Sequence, residues 1–237
     1  MSDAVVATLA RQQGLMKEMQ VVANNLANAS TTGFKTDRAI FAEFLVSAGG
    51  DAPSISMGGL AGHAFELGQG DMKFTGGTFD VAIQGDGFFM LETEQGQRLT
   101  RAGHFQLAPG GALVDPTGAQ VLNAGGGPIT IPEGAANIAI SPDGSISADG
   151  VLVDRIGVMR AEGELQRDSD TRFIAPEGTV AIEEPSVLQG ALEQSNVSAV
   201  LEVARMIEVQ RAYEAGQALL ERDDQRINKL ITAVRER

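Results

Sequence analysis

The sequence predicts an α+β fold: a discontinuous helical coiled-coil domain drawn from both termini, with a central mainly-β domain of short strands between them. Three observations predict it. Apolar residues recur at spacings of three and four near the N-terminus, the same spacing returns over a longer C-terminal stretch, and the middle of the chain alternates in short runs broken by Gly, Pro and Asp. The expected divisions are an N-terminal helix over 1–30, an extended linker segment over 31–75, a central β domain over 76–194 and a long helix over 195–237. The first and last together form the terminal helical domain.

The first helix rests on Val5, Leu9, Met16, Met19, Ala23 and Leu26, a heptad-like stripe interrupted by Gln12. The segment after it is rich in Gly and Ser yet keeps Phe34, Ile40, Phe41, Phe44 and Leu45, too many apolar groups for a flexible tether. It is expected to run extended and to dock on another surface, partly in another subunit. In the β domain Phe79, Val81 and Ile83 alternate with polar or small residues, Gly85-Asp86-Gly87 turns the chain, and Phe88 to Leu91 returns, which predicts a hairpin. Turn signals at Pro109-Gly110-Gly111, Pro116-Thr117-Gly118, Gly125-Gly126-Gly127, Pro142-Asp143-Gly144 and Asp149-Gly150 separate further short strands.

The last helix carries Val203, Met206, Tyr213, Leu220, Ile227, Ile231 and Val234, with Gln210, Gln217 and Asp224 on the same seam. Unbroken from 197 to 234 it is about 55 Å long at 1.5 Å per residue. Ser195 and Asn196 offer an N-cap, and Gly216 marks either a close contact or a bend.

Lys and Arg total 18 against 31 Asp and Glu, and the formal net charge of -13 opposes phosphate backbones, so nucleic acid is not an expected partner. The chain has no cysteine, which removes disulfides, thiolate nucleophiles and thiolate metal sites together. Its N-terminus, with Asp3 where a signal peptide carries basic charge, shows no Sec-type signal, and no apolar run approaches the roughly 18 to 20 residues that span a bilayer. A soluble protein, or one exported by another route, is expected, with no membrane insertion.

Motifs that point to chemistry each have a plainer explanation. In TTGFKT, Phe34 separates Gly33 from Lys35 and no glycine-rich strand-loop precedes them, so this is a turn and not a phosphate loop. Asp143, Ser145, Ser147, Asp149 and Asp154 have the spacing of a calcium loop, but Ala148 stands where glycine is required and the last ligand is Asp. Two Asp-Gly turns explain them. His63 and His104 have no neighbouring ligand pattern or nucleophile elbow. No catalytic, cofactor-binding or metal-binding residue is assigned, and no cofactor is expected.

Two amphipathic helices at opposite ends of one chain need a surface, because the β region fills its own core. They can pair and present their remaining apolar faces to other molecules, or form a solitary antiparallel pair that caps the β domain. The polar seam residues leave both open. A reading of a different class is an enzyme or carbohydrate-binding β domain on a helical dimerisation stalk.

ANNLANASTTGFK (23–35), GDGFF (85–89), LTRAGHF (99–105), SPDGSIS (141–147) and SNVSAVLEVARMIEVQRAYEAG (195–216) resemble the flagellar rod and hook family, in the same order over almost the whole chain. RQQGLMKEMQVVANNLAN and DRAIFAEFLV are most similar to its proximal-rod members, with distal-rod and short hook-type members the nearest alternatives. Ser198 and Ala199 depart from the acidic or Pro residue that often follows SNV. The resemblance implies a non-enzymatic subunit of the torque-transmitting rod of the bacterial flagellum basal body, in the periplasmic space. It implies partners among the proximal and distal rod proteins, and export without a cleaved signal peptide by the flagellar type III apparatus. It implies that the terminal helices form the inner domain of a tubular assembly.

The expected assembly interface follows from the same resemblance. On the first helix it comprises Leu9, Met16, Met19 and Leu26; on the second, Val203, Met206, Tyr213, Leu220, Ile227 and Ile231. At the break after the first helix, Asn24, Asn25 and Asn28 can satisfy the last main-chain groups, Gly33 can take a positive φ and Phe34 can anchor the exit by burial. An ordinary asparagine-rich helix end is the alternative for that stretch.

Overall fold

In the computed structural model, which describes residues 3–46 and 55–235, the chain divides into two units. The side chains of Val5, Phe41, Phe44, Leu45 and Val234 lie outside the described set. The helical unit takes residues up to Ala27, Asp37–Glu66 and everything from Ser198 onward; the β unit takes Asn28–Thr36 and Leu67–Val197. The stretch expected to run as a linker over 31–75 is therefore shared between both units.

The helical unit contains α1 (Asp3–Ala27), β1 (Asp37–Val46) and β2 (Ile55–Phe65), closed by a C-terminal helix, α2 (Ala199–Arg235). β1 and β2 pair antiparallel with an irregularity between Ile40 and Phe41, and both lie against α1, which also packs on α2. The expected cap is corrected: Glu202 N–H donates to Ser198 O at 3.0 Å, so α2 opens at Ser198. Ser195 Oγ instead accepts from Val197 N–H at 3.2 Å, and Asn196 is held elsewhere. Glu202 in the first turn suits the positive end of the helix dipole. Helix α2 runs through Gly216 without interruption; a Cβ there would lie 3.4 Å from Gln12 Nε2, so this glycine marks a close contact.

In the β unit the strands are short. They run β3 (Met72–Phe74), β4 (Val81–Ile83), β5 (Phe88–Thr93), β6 (Gly96–Thr100), β7 (Gln106–Leu107), β8 (Leu113–Val114) and β9 (Gln120–Val121). Next come β10 (Ile138–Ile140), β11 (Ser145–Ala148), β12 (Val151–Arg155), β13 (Val158–Ala161) and β14 (Gln166–Arg167). β15 (Arg172–Ile174), β16 (Thr179–Ala181), β17 (Val187–Gln189) and β18 (Ala191–Glu193) complete the unit. The largest sheet has the order β14-β15-β6-β5-β9-β8-β7, with β13 joining β5 to β16. Its core gathers Val81, Phe89, Leu91, Leu113, Val121 and Ile146, with Phe105 edge-on to Phe89 at 5.2 Å.

The hairpin expected across Gly85-Asp86-Gly87 does not form. β4 pairs with β17, whereas β5 pairs with β6, β9 and β13, so the glycine turn passes the chain from one sheet to another. A two-residue hairpin does form at Asp149-Gly150, both with positive φ (50° and 82°), where Ala148 pairs with Val151. Turn geometry accounts for the acidic spacing there. At Asp115-Pro116-Thr117-Gly118, Asp115 Oδ1 accepts from Thr117 N–H (2.9 Å), Thr117 Oγ1 (2.8 Å) and Ala119 N–H (3.0 Å), while Arg172 pairs with Oδ2.

Burial pushes the Asp115 carboxyl up, but these hydrogen bonds and the Arg172 charge outweigh it and hold the group below the usual carboxylate range. A carboxyl depressed in the folded state stabilises fully above its unfolded value and loses that contribution as pH falls through the folded one. Asp115→Asn is therefore expected to flatten the acid limb of the β unit's unfolding profile below about pH 4, read by circular dichroism melts at stepped pH.

Candidate functional site

The inward faces of α1 and α2 are set by residues that hydropathy alone does not select. On α1, Gly14, Val22 and Asn25 are buried, and on α2, Glu202 and Val209 are buried. Glu18 accepts from Arg205 Nη2 at 2.9 Å and from Nε at 3.1 Å, fixing one helix against the other. Glu202, Val209, Gly216 and Asp223 recur every seven residues along α2, yet one is apolar. Val22 and Val209 are buried valines that the sequence stripes miss.

The stripes the sequence does show are turned partly outward. Leu9 (48% exposed), Met16, Val203, Ile227 and Ile231 (59%) are exposed, while Met19, Leu26, Met206, Tyr213 and Leu220 are half-buried. Ala23 is exposed. The single chain thus leaves apolar area uncovered along both helices.

Asn25 performs a task that its helix-end position only hints at. Its Oδ1 accepts from Asp37 N–H at 2.9 Å and its Nδ2 donates to Asp37 O at 2.8 Å, so one side chain pairs with the main chain at the start of β1 as a neighbouring strand would. Nδ2 also reaches Glu202 Oε2 at 3.4 Å. Asn24 is half-buried, and Asn28 closes a turn in the β unit, accepting at O from Thr31 N–H and at Oδ1 from Thr31 Oγ1, both at 3.0 Å.

Residues 28–36 form an integral part of the β unit. Gly33 has φ of 72° and donates its N–H to Glu193 O at 2.8 Å. Phe34 is fully buried beneath the Arg167 guanidinium, 4.6 Å from the ring centroid, and Arg167 also covers Phe173. Lys35, equally buried, places Nζ 2.5 Å from Glu193 Oε1 and 2.7 Å from Gly68 O. Glu193 Oε2 accepts from Arg101 Nη1 at 3.2 Å, and Gly70 N–H donates to Oε1 at 3.0 Å. Asn196 Oδ1 accepts from both N–H and Oγ1 of Thr36 at 2.8 Å, which is where the expected cap residue is used.

One buried carboxylate therefore stands between two buried cations. Burial pushes the Lys35 ammonium below the ordinary lysine value, against the hydrogen bond and attraction of Glu193; the Arg101 guanidinium is lowered by burial in the same way. Sequence spacing gave no sign of Glu193 or Arg101, because they meet Lys35 only through the fold.

The two histidines sit in separate pairs. His63 Nδ1 lies 3.1 Å from both Asp37 carboxylate oxygens, and His104 Nδ1 lies 2.6 Å from Asp80 Oδ1. Asp80 Oδ2 accepts from Thr75 Oγ1 at 2.5 Å. Among the described residues, no three His, Asp or Glu side chains come together as a metal site.

Three family models match in chain order. Residues 8–35 match the model described as flagella basal body rod protein, 82–148 the flagellar hook protein FlgE/F/G D1 domain, and 188–233 the flagellar basal body rod FlgEFG protein C-terminal. The chain is 37% identical to the flagellar basal-body rod protein FlgF of Caulobacter vibrioides, covering 91% of each sequence. It is 34% identical to FlgF of Rhizobium meliloti over 98% of this chain and 97% of that one. It is also 30% identical to the flagellar basal-body rod protein FlgG of Bacillus subtilis over 99% of this chain and all of that one.

Proposed function

Because the chain belongs to the flagellar basal-body rod protein family, we infer that it is a structural subunit of the rod that assembles through the outward apolar faces of α1 and α2. The family is structural and the chain is not an enzyme, so the reading of a catalytic or sugar-binding β domain on a stalk is set aside. One observation carries the assembly route: the helices keep Leu9, Met16, Val203, Ile227 and Ile231 exposed while their mutual contact is made by polar and small groups. Such stripes gain about 25 cal/mol per Å² when neighbouring copies cover them as coiled-coil seams. Sliding one helix past another then exposes apolar area, which is how packed helices transmit torque.

The same proposal includes the proximal part of the rod as its place, other rod subunits as partners, and export into the periplasm by the flagellar type III apparatus without a cleaved signal. A cysteine-free chain suits that passage, since no disulfide can trap it on the way.

Ile227→Asp is the direct test, because Ile227 is 44% exposed and a charge there is solvated in the lone chain but not on a covered seam. The variant is expected to fold and accumulate normally, to be missing from purified basal bodies and to leave cells non-motile. Leu220→Asp is expected to behave alike. Incorporation at the unmodified level with normal swimming overturns helix-driven assembly.

A further inference from the structure

With no cysteine, no tryptophan and a single tyrosine, the chain leaves methionine sulfur as its chief target for a mild two-electron oxidant. Among the described side chains Met16, on α1, is the most open methionine, at 51%. Met19, Met72 and Met206 are half-buried, and Met90 and Met159 are buried in the β unit. Met16 also lies on the outward stripe: of the exposed residues Leu9, Met16, Val203, Ile227 and Ile231, it alone carries an atom that such an oxidant attacks.

The contacts that hold α1 against α2 do not use it. Arg205 donates to Glu18, Asn25 donates to Glu202 and Gly216 lies against Gln12, and Met16 takes part in none of these. A polar group added to its sulfur is therefore solvated in the lone chain and leaves the helix pair intact. On a covered seam the same group is buried without a partner, which costs free energy that an apolar thioether does not. Sulfoxide formation makes a flexible apolar side chain polar, and the interfaces it disrupts are those that rely on methionine packing.

We propose that Met16 is an oxidation site that controls assembly: hydrogen peroxide converts it to the sulfoxide in the unassembled subunit, which stays folded but is left out of the rod. The thioether sulfur attacks one peroxide oxygen, the O–O bond breaks, and a proton shift lets the second oxygen leave as water. Sulfur loses two electrons and peroxide gains them. An enzyme of the methionine sulfoxide reductase class reverses the step, returning two electrons from a thiol donor and releasing the oxygen as water. This inference rests on assembly through the helix faces, as argued above, and adds a condition under which that assembly fails.

Purified full-length protein is treated with graded hydrogen peroxide, and peptide mass spectrometry reads the order in which the sulfurs gain oxygen. Met16 is expected to react ahead of Met90 and Met159, with an unchanged circular dichroism melt while it alone is modified. Reaction no earlier than theirs, or a melt lost with Met16, overturns the proposal. Cells making the chain are then grown with peroxide, and the sulfoxide fraction at Met16 is compared between purified basal bodies and unassembled subunits of the same culture. Depletion from the basal bodies is expected, and equal fractions overturn the proposal. Because cover after assembly would also deplete the sulfoxide, Met16→Gln decides between exclusion and protection: it carries a polar group without oxidant and should be missing from basal bodies, and its normal incorporation overturns the proposal. Met16→Leu keeps an apolar side chain of similar volume without sulfur and should abolish the loss of incorporation that peroxide causes. A loss that persists in Met16→Leu places the sensitive group elsewhere and sinks the inference. Equal sulfoxide fractions together with exclusion of Ile227→Asp sink the oxidation site alone, whereas basal bodies that accept Ile227→Asp sink helix-driven assembly itself.

Discussion

Replacing Glu193 with glutamine is expected to cost the β unit about 3–5 kcal/mol, the loss that follows when one partner of a buried ion pair is removed and the other charge stays. The geometry here is more demanding than an isolated pair. Glu193 is fully buried and answers both the Lys35 ammonium and the Arg101 guanidinium, while its Oε1 also accepts from Gly70 N–H. Glutamine keeps the length of the side chain but turns an N–H group toward one of two cations. Hydrogen exchange resolved by segment is the suitable measurement, since the single tyrosine lies in α2 and there is no tryptophan. Protection is expected to fall across 28–36 and β18 and to persist across α1 and α2. Lys35→Gln should cost less than Glu193→Gln, and the double variant less than the sum, by on the order of 0.5–3 kcal/mol of coupling.

The variant also has a pH signature with a definite sign. Burial already pushes Lys35 below the ordinary lysine value, and the substitution removes the Glu193 hydrogen bond and charge that oppose that shift. A folded state that binds fewer protons than the unfolded one gains stability as pH rises. The defect of Glu193→Gln should therefore shrink from neutral toward alkaline pH as Lys35 sheds its proton. A defect independent of pH would mean that the lost carboxylate mattered as packing and not as charge.

How much of this was legible in the sequence depends on distance along the chain. Both helices follow from local periodicity, and the Asp149-Gly150 turn follows from two residues, because each signal lies within a few positions of its effect. Glu193 meets Lys35 across 158 positions, and nothing in AIEEPSVLQGALEQSN distinguishes it from exposed acids nearby. The pairing of β1 with β2 was hidden for a related reason: ISMGGLAGHAF has low intrinsic strand preference, and only its partner makes it a strand. The helix seams show a subtler failure. Apolar spacing located the stripes, but the contact within one chain runs through Glu202, Gly216, Gln12 and Asn25, whose polarity or size conceals it. That division leaves the conspicuous stripes partly exposed on the single chain.

Gly33→Ala is expected to detach residues 28–36 from the β unit altogether. Two costs coincide at this position. An alanine at φ of 72° is disfavoured by roughly 1–2 kcal/mol from contact with its own carbonyl neighbourhood. Its Cβ would also lie 2.2 Å from Ala102 N and 2.5 Å from the Arg101 carbonyl carbon, and main chain cannot swing aside as a flexible side chain can. Relief requires moving either residues 101–102, which carry the guanidinium that pairs with Glu193, or the segment that delivers Phe34 and Lys35. Gly76→Ala separates the two costs, because Gly76 has the same φ of 72° with nothing within 4 Å of its added Cβ. The control should lose only the conformational part, whereas Gly33→Ala should lose exchange protection over 28–36 entirely and, through the exposed Phe34 and Lys35 sites, fail to enter rods. Equal losses in the two variants would show that the close approach to Ala102 does not decide how this segment is held.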